Sequence, residues 1–280
     1  MKLYSEDFFI TPQQHIAVEP RVPQPIFPEH THDFSEIFLV TQGVGLHVLN
    51  GRPYTLCPGM VCYIKSSDYH LFDNVSNLNL TNVLYRSDSA FTYLNNISHF
   101  FPADTEKNIS HWLLNKEHCN KAQQIIDKLN ESDGSDPAYT ESLFLQLIMN
   151  LQEGRYNHVG EGNNEQRIIQ MLRWLNANFM EEIDWESLTT QFSVSLRTFH
   201  RYMKNNLGIS PQNYLIKLRL SEAYYQIRFS EKTITDIALE SGFNDSAYFS
   251  TRFKSESLHF SSCCCNVTCD SNYFGYLFVI

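Results

Sequence analysis

The feature that most constrains the fold is a pair of short amphipathic units, about fifty residues apart, in the last third of the chain. Leu188 to Lys204 reads as two short helices joined by a tight turn. In the second helix Leu196, Phe199 and Met203 fall at i, i+3 and i+7 and share an apolar face, while Arg197, Arg201 and Lys204 repeat that spacing on the opposite face. Ser195 stands where an N-cap belongs, its hydroxyl able to accept an orphan N–H of the first turn. A helix buried on one side and cationic on the other fits a DNA major groove. Taken singly, such a basic face is more often just solvated. The chain supplies a second copy, however: in Ile237 to Lys254, Phe249, Phe253 and Lys254 repeat Phe199, Met203 and Lys204, with a turn one residue longer that contains Gly242. An internal repeat of this kind means tandem helix-turn-helix units, and a purely structural helical domain would not need it. Between them Ser210 to Phe229 begins Ser-Pro, an N-cap followed by Pro at the first helical position. Its apolar residues (Tyr214, Leu215, Leu218, Leu220, Ala223, Ile227) spread around the helix, as suits a connector packed against both units. Such a rod sets two reading helices about one DNA turn apart, roughly 34 Å.

The net charge of −10 argues against DNA binding only if it is read as one number. Residues 1–165 carry ten basic and twenty acidic side chains, whereas 166–258 carry eleven and ten. The second half is near neutral, so DNA contact rests on a few placed Arg and Lys rather than on a broad field. The start of the chain lacks an apolar signal segment, and no apolar run approaches a membrane span. Cys57, Cys62 and Cys119 are scattered as in a reducing compartment, so a cytoplasmic location without membrane contact is expected.

Residues 166 to about 254 resemble the AraC/XylS family of bacterial transcription regulators. The resemblance is carried by Ile-Ala-x-x-x-Gly-Phe-x-Asp-x-x-Tyr-Phe (237–249) and by Gly208-Ile-Ser-Pro211-x-x-Tyr214. In the first half, Pro28-Glu-His-Thr-His-Asp-Phe-Ser-Glu-Ile and Leu80-Thr-Asn-Val-Leu-Tyr-Arg86 look like the rhamnose-operon activators of enteric bacteria within that family. The fold expected is therefore α+β: a cupin-like β-barrel with flanking helices over residues 1–153, a linker over 154–166, and an all-α domain of two helix-turn-helix motifs joined by a connector helix over 167–255.

In the first domain Pro12, Pro20, Pro23, Pro25 and Pro28 keep residues 8–28 extended. Short β runs follow at Glu36–Val40, Gly45–Leu49, Tyr54–Leu56, Val61–Ile64 and Leu80–Tyr85. They are separated by turn signals that include Asn50-Gly51, a hairpin signal. His30-x-His32-x3-Glu36-x6-Gly43 is similar to the first cupin metal motif, and Gly51…Pro58-Gly59…His70 to the second with one residue extra. Three imidazoles and a carboxylate on adjacent strands would make a first shell for Ni, Fe, Mn or Zn. Three readings stay open: metal ligation by His30, His32, Glu36 and His70; a metal-free pocket in which the same groups bind a sugar; and structural histidines satisfied by backbone. A sugar also needs an aromatic wall, for which Phe34, Phe38, Tyr63 and Tyr69 are available.

Residues 116–130 and 139–152 are expected to be helical. The second is apolar on more than one face through Leu143, Phe144, Leu147, Ile148 and Leu151; it either fills its own core only or also meets a partner, and the resemblance implies a homodimer. Gly154 to Gln166 reads as a flexible linker, and Ile168 to Phe179 as the opening helix of the second domain. After Lys254 the chain departs from its own repeat. The Gly and Ser-Pro of the first unit are missing, and Cys263, Cys264, Cys265 and Cys269 crowd the end. Residues 256–280 therefore read as an atypical tail, either the product of a reading-frame change near Ser255 or a lineage-specific metal or redox segment.

The resemblance implies a transcription activator of a sugar catabolic operon, not an enzyme, with L-rhamnose as effector, no cofactor certain and a divalent metal open. Its partners would be promoter DNA and the RNA polymerase sigma subunit. Carried over motif by motif, Ser195, Arg197, Thr198, Arg201 and Lys204 face DNA in the first unit, and Asp245, Ser246, Tyr248 and Arg252 in the second. Ala247 stands where related activators often have Asn, which puts one base contact in doubt. Asp236 corresponds to the acidic polymerase contact, or else is a helix N-terminal carboxylate stabilised by the macrodipole. The alternative from another class is a metal-dependent cupin enzyme acting on sugars, fused to a DNA-binding domain.

Overall fold

The apolar runs of the first half pair into one curled sheet of eight strands in the computed structural model, which describes residues 1–11, 13–101, 110–132, 136–156 and 164–257. The strands are β1 (Lys2–Leu3), β2 (Ile16–Arg21), β3 (Phe27–His32), β4 (Ser35–Leu49), β5 (Arg52–Leu56), β6 (Met60–Ile64), β7 (Tyr69–Tyr85) and β8 (His111–Leu113). Their order is β1-β3-β7-β4-β6-β8, with β2 on β7 and β5 on β4. The expected runs Glu36–Val40 and Gly45–Leu49 are a single 15-residue strand. Three register irregularities between Val40 and Leu46 let β4 bend while it stays paired with β7. Gly43 sits at that bend with φ +78, and a Cβ there would lie 2.0 Å from the Asn77 carbonyl oxygen. Asn50 and Gly51 both have positive φ and close the β4–β5 hairpin. Of the Pro-rich stretch, residues 16–21 and 27–28 are extended as expected, in β2 and the start of β3, whereas residues 8, 10–11, 13 and 22–23 turn or bend and Pro12 lies outside the described residues.

Two helices, α1 (Lys116–Glu131) and α2 (Pro137–Tyr156), cover one side of this sheet. Leu143, Phe144, Leu147, Ile148 and Leu151 of α2 are all buried against α1 and the outer sheet residues Val61, Val83 and Tyr85. Tyr139 and Met149 are the large apolar side chains α2 leaves exposed among the described residues. The expected linker is shorter than 154–166, because α2 runs to Tyr156 and the next helix, α3, starts at Asn164.

The second domain follows as α3 (Asn164–Asn178), α4 (Trp185–Gln191), α5 (Leu196–Tyr202), α6 (Pro211–Phe229), α7 (Ile234–Glu240) and α8 (Ser246–Ser257). The helices α4 to α8 each start on a capping side chain that accepts first-turn N–H groups: Asp184, Ser195, Ser210, Thr233 and Asp245. α5 continues as one widened turn, Met203–Leu207, and stops at Gly208 in the left-handed region. The connector α6 divides its apolar residues. Tyr214 and Leu218 join α3, α4 and α5, while Ile216, Leu220 and Ala223 join α7 and α8. α6 also lies against β5. Arg173 of α3 donates to the carbonyl oxygens of Leu113 and Gly154, tying the two domains together. The tail 258–280, with its four cysteines, lies outside the described residues.

Candidate functional site

Curling of the sheet turns the inward side chains of β3, β4 and β7 toward one another. His30 opposes His70 across the β3–β7 ladder. Their rings lie 4.0 Å apart, while His32 Nε2 stands 3.8 Å from Glu36 Oε2. His32, Glu36 and His70 converge and are all buried. His30 packs against the His70 ring and is not part of that converging set. Among the described residues three of the four expected ligands converge, and His30, the direct partner of His70 in the β3–β7 register, packs on that ring instead.

Carbonyls of β3 and of the turn that follows it fix the tautomers of two rings. His30 Nδ1 pairs with the Pro28 carbonyl at 2.9 Å and His32 Nδ1 with that of Phe34. An imidazole that donates at Nδ1 offers a lone pair at Nε2. His32 Nε2, Glu36 Oε1, His70 Nε2 and Asn82 Oδ1 are buried with no hydrogen-bond partner. Leaving such groups unpaired costs about 1–3 kcal/mol each, so the arrangement suits a polar guest. Glu36, His70 and Asn82 face a cleft partly open to solvent that is also lined by His30, Arg21, Gln24 and a wall of Phe8, Phe27, Phe34 and Phe72. Of the four aromatic walls expected, Phe34 lines the cleft; Phe38, Tyr63 and Tyr69 do not, since they occupy other positions of the sheet.

Burial sets the charge of this pocket. It lowers His30 to about 4, with His32 repulsion adding, and it lowers His32 and His70 as well. It raises Glu36 to about 8, against the pull of Arg21. Near neutral pH these groups are neutral imidazoles and a protonated carboxyl, alternating donors and acceptors beside the Arg21 guanidinium. That chemistry matches a neutral polyol. A divalent cation would first have to displace the Glu36 proton.

In the second domain Phe199 and Met203 are fully buried, and Arg197, Arg201 and Lys204 point to solvent from the other side. Lys204 lies on the widened turn after α5. Ser195 Oγ accepts from Thr198 N–H and pairs with Thr198 Oγ1, so both hydroxyls serve the cap. Asp245 does the same for α8, accepting from Ala247 N–H at 2.7 Å and from Tyr248 N–H at 3.3 Å. Ser246 and Arg252 are half-buried and Tyr248 is exposed. Asp236 is exposed, and its carboxylate accepts from the Thr233 hydroxyl, whose oxygen in turn accepts Asp236 N–H, closing a reciprocal cap.

Three buried or half-buried groups close to the pocket escaped the sequence reading: His47, Cys62 and His111. His47 lies on the inward side of β4, two residues from Leu49, so strand alternation could have flagged it. Nothing local marks His111, which is 64 residues away.

A family model described as the AraC-like ligand binding domain matches residues 13–148, and one described as a helix-turn-helix domain matches residues 188–257. The chain is similar to the HTH-type transcriptional activator RhaS of Mannheimia succiniciproducens, 47% identical over 255 residues that cover 91% of this chain and 95% of the relative. It is similar to the RhaS of Klebsiella pneumoniae at 44% identity, with 91% and 93% covered. Among solved structures ToxT from Vibrio cholerae O395 overlaps 95% of this chain and 98% of its own at 15% identity, with a TM-score of 0.32, too loose an overlap to argue from.

Proposed function

From the premise that the chain belongs to the AraC family of transcription regulators, we propose that it activates transcription of a sugar catabolic operon in response to L-rhamnose. The sugar occupies the β-domain cleft, and the two helix-turn-helix units read neighbouring promoter half-sites as a homodimer in the cytoplasm. The observation that carries the DNA half is the backing of exposed Arg197, Arg201 and Lys204 by buried Phe199 and Met203, repeated in α8 by Phe249 and Phe253. The observation that supports the sugar half is the set of uncharged imidazoles and carboxyl with its unpaired polar atoms. The relatives are named activators, which gives the enzyme alternative no footing.

Within this reading Arg197 and Arg201 contact bases, with Arg–guanine pairs worth ~1–3 kcal/mol of discrimination each. Ser195 and Thr198 hold the reading helix and meet phosphate with what the cap leaves free. In α8 Asp245 acts as a cap, so Ser246 and exposed Tyr248 do the reading, with Arg252 beside a phosphate. Asp236 presents its free lone pairs to the sigma subunit. No helix among the described residues is long and apolar enough to cross a membrane.

The test is a fluorescence-anisotropy titration on a rhamnose-promoter duplex at fixed salt. L-rhamnose is expected to tighten specific binding, and Arg197→Ala to weaken it by ~1–3 kcal/mol, about 5- to 150-fold. Specific binding that is indifferent to rhamnose would remove the effector assignment. No specific binding at all would remove the promoter assignment.

A further inference from the structure

Behind the cleft, on the same sheet, Cys62 and His111 are direct partners in the β6–β8 ladder. His47 of β4 reaches them from the side. His47 Nδ1 stands 2.8 Å from His111 Nε2, and Cys62 Sγ lies 4.0 Å from His47 Nδ1 and 3.8 Å from His111 Nδ1. A tetrahedral zinc with Zn–N near 2.0–2.1 Å and Zn–S near 2.3 Å separates its ligands by roughly 3.3 Å for N···N and roughly 3.6 Å for S···N. Each residue gives one ligand atom, and the three lie within 4.8 Å of one another. With Nε2 as the His111 ligand atom, the two imidazoles need to part by about half an ångström, and His111 Nδ1 keeps Ser110 Oγ as its partner. His47 and Cys62 are fully buried, while His111 is partly exposed at the sheet edge and gives an entry path. Two imidazoles and one thiol are a donor set for a borderline transition-metal cation and a poor one for Mg²⁺ or Ca²⁺.

We propose that His47, Cys62 and His111 form a second site that binds a borderline transition-metal cation of the Zn²⁺ class, with water in the fourth position. On binding, Cys62 releases its thiol proton to solvent and the sulfur coordinates. The cation replaces the His47–His111 hydrogen bond.

The site has a consequence for the cleft, and that consequence rests on the effector reading above. His47 Nε2 lies 3.0 Å from His70 Nδ1. In the metal-free chain the proton in that bond can sit on either ring. A cation on His47 Nδ1 leaves Nε2 protonated, so it must donate to His70. His70 then carries its own proton on Nε2, aimed into the cleft as a donor. With that proton in place His70 is no metal ligand, so filling the second site reserves the cleft for a hydrogen-bonding guest.

The experiment is a Co²⁺ titration of the full chain after chelator treatment under reducing conditions, followed by absorbance. The expected result is one equivalent bound, with a thiolate-to-cobalt charge-transfer band and the visible bands of tetrahedral Co²⁺. Cys62→Ser removes the charge-transfer band, His111→Gln weakens uptake by at least about tenfold, and His32→Ala leaves both unchanged. Because Cys263, Cys264, Cys265 and Cys269 also offer thiols, the band must survive their joint replacement by Ser. No band, or a band that persists in Cys62→Ser or vanishes with the four tail cysteines, overturns the site. Co²⁺ uptake is read without sugar or DNA, so its failure leaves the regulator reading standing. If uptake succeeds but Zn²⁺ leaves rhamnose affinity unchanged, the link to His70 is overturned.

Discussion

Acidifying the chelator-treated protein from pH 7 to pH 4.5 is expected to remove several kcal/mol of stability from the β-domain. Five histidines, His30, His32, His47, His70 and His111, are held below their ordinary range chiefly because burial denies the imidazolium its water. The unfolded chain takes up protons on them as pH falls through about 6.5, while His30 resists down to about 4 and His111 to about 3. In that window the unfolded state binds more protons, so stability falls with pH. Each pH unit of displacement is worth about 1.4 kcal/mol per group. Glu36 acts in the opposite sense. Raised to about 8, it keeps its proton in the folded state while the unfolded state loses it above about 4.5, so it favours the fold at lower pH. One carboxyl does not offset five imidazoles. Above pH 6.5 it acts alone, and stability should decline gently toward pH 8. Urea melts at pH 5, 6, 7 and 8 check both arms. Glu36→Gln should flatten the alkaline arm and steepen the acid arm, and an unchanged midpoint from pH 7 to 5 would refute the account.

The second large effect is expected at Gly43→Ala. Besides φ +78, the added Cβ would lie 2.0 Å from the Asn77 oxygen, 2.3 Å from its carbonyl carbon and 2.6 Å from Leu78 N. These are backbone atoms of β7 and cannot rotate aside. A left-handed non-Gly residue costs about 1–3 kcal/mol and forced overpacking a similar amount, so about 2–6 kcal/mol should be lost. Gly208→Ala is the control. Its φ is +72, but nothing lies within 4 Å of the new Cβ, so only about 1 kcal/mol should go. Equal losses in the two variants, read by denaturant melts, would rule out the clash as the cause.

The helix-turn-helix units were legible in the sequence because everything that specifies them is local. Leu196, Phe199 and Met203 repeat at helical spacing, and the caps Ser195, Ser210 and Thr233 stand next to the helices they start. The widened turn after Tyr202 was not legible, since Met203 and Lys204 continue the same spacing whichever way the turn closes. The strands were legible as strands, but β4 was divided at Gly43, which reads as a turn and acts as a bend within continuous pairing. His30, His32, Glu36 and His70 could be collected from motif spacing, whereas their separation into a converging three and a stacked fourth depends on the β3–β7 register. The cluster of His47, Cys62 and His111 exists only because β6 lies between β4 and β8, and strand order is not written in any local pattern.

The two faces of α6 carry a consequence for how the protein comes apart. One apolar cluster runs without interruption from Phe38 and Leu56 inside the sheet through Leu172 and Phe199 to Tyr214 and Leu218. A separate one holds Phe243, Phe249 and Phe253 against Ile216 and Leu220. Cooperative unfolding units follow contiguous buried contacts. The sheet and the first reading unit should therefore exchange their amide hydrogens as one block, and α7 with α8 should open earlier as another. A mutation deep in the sheet would then reach the first half-site through shared stability, while the second reader keeps its own thermodynamic account.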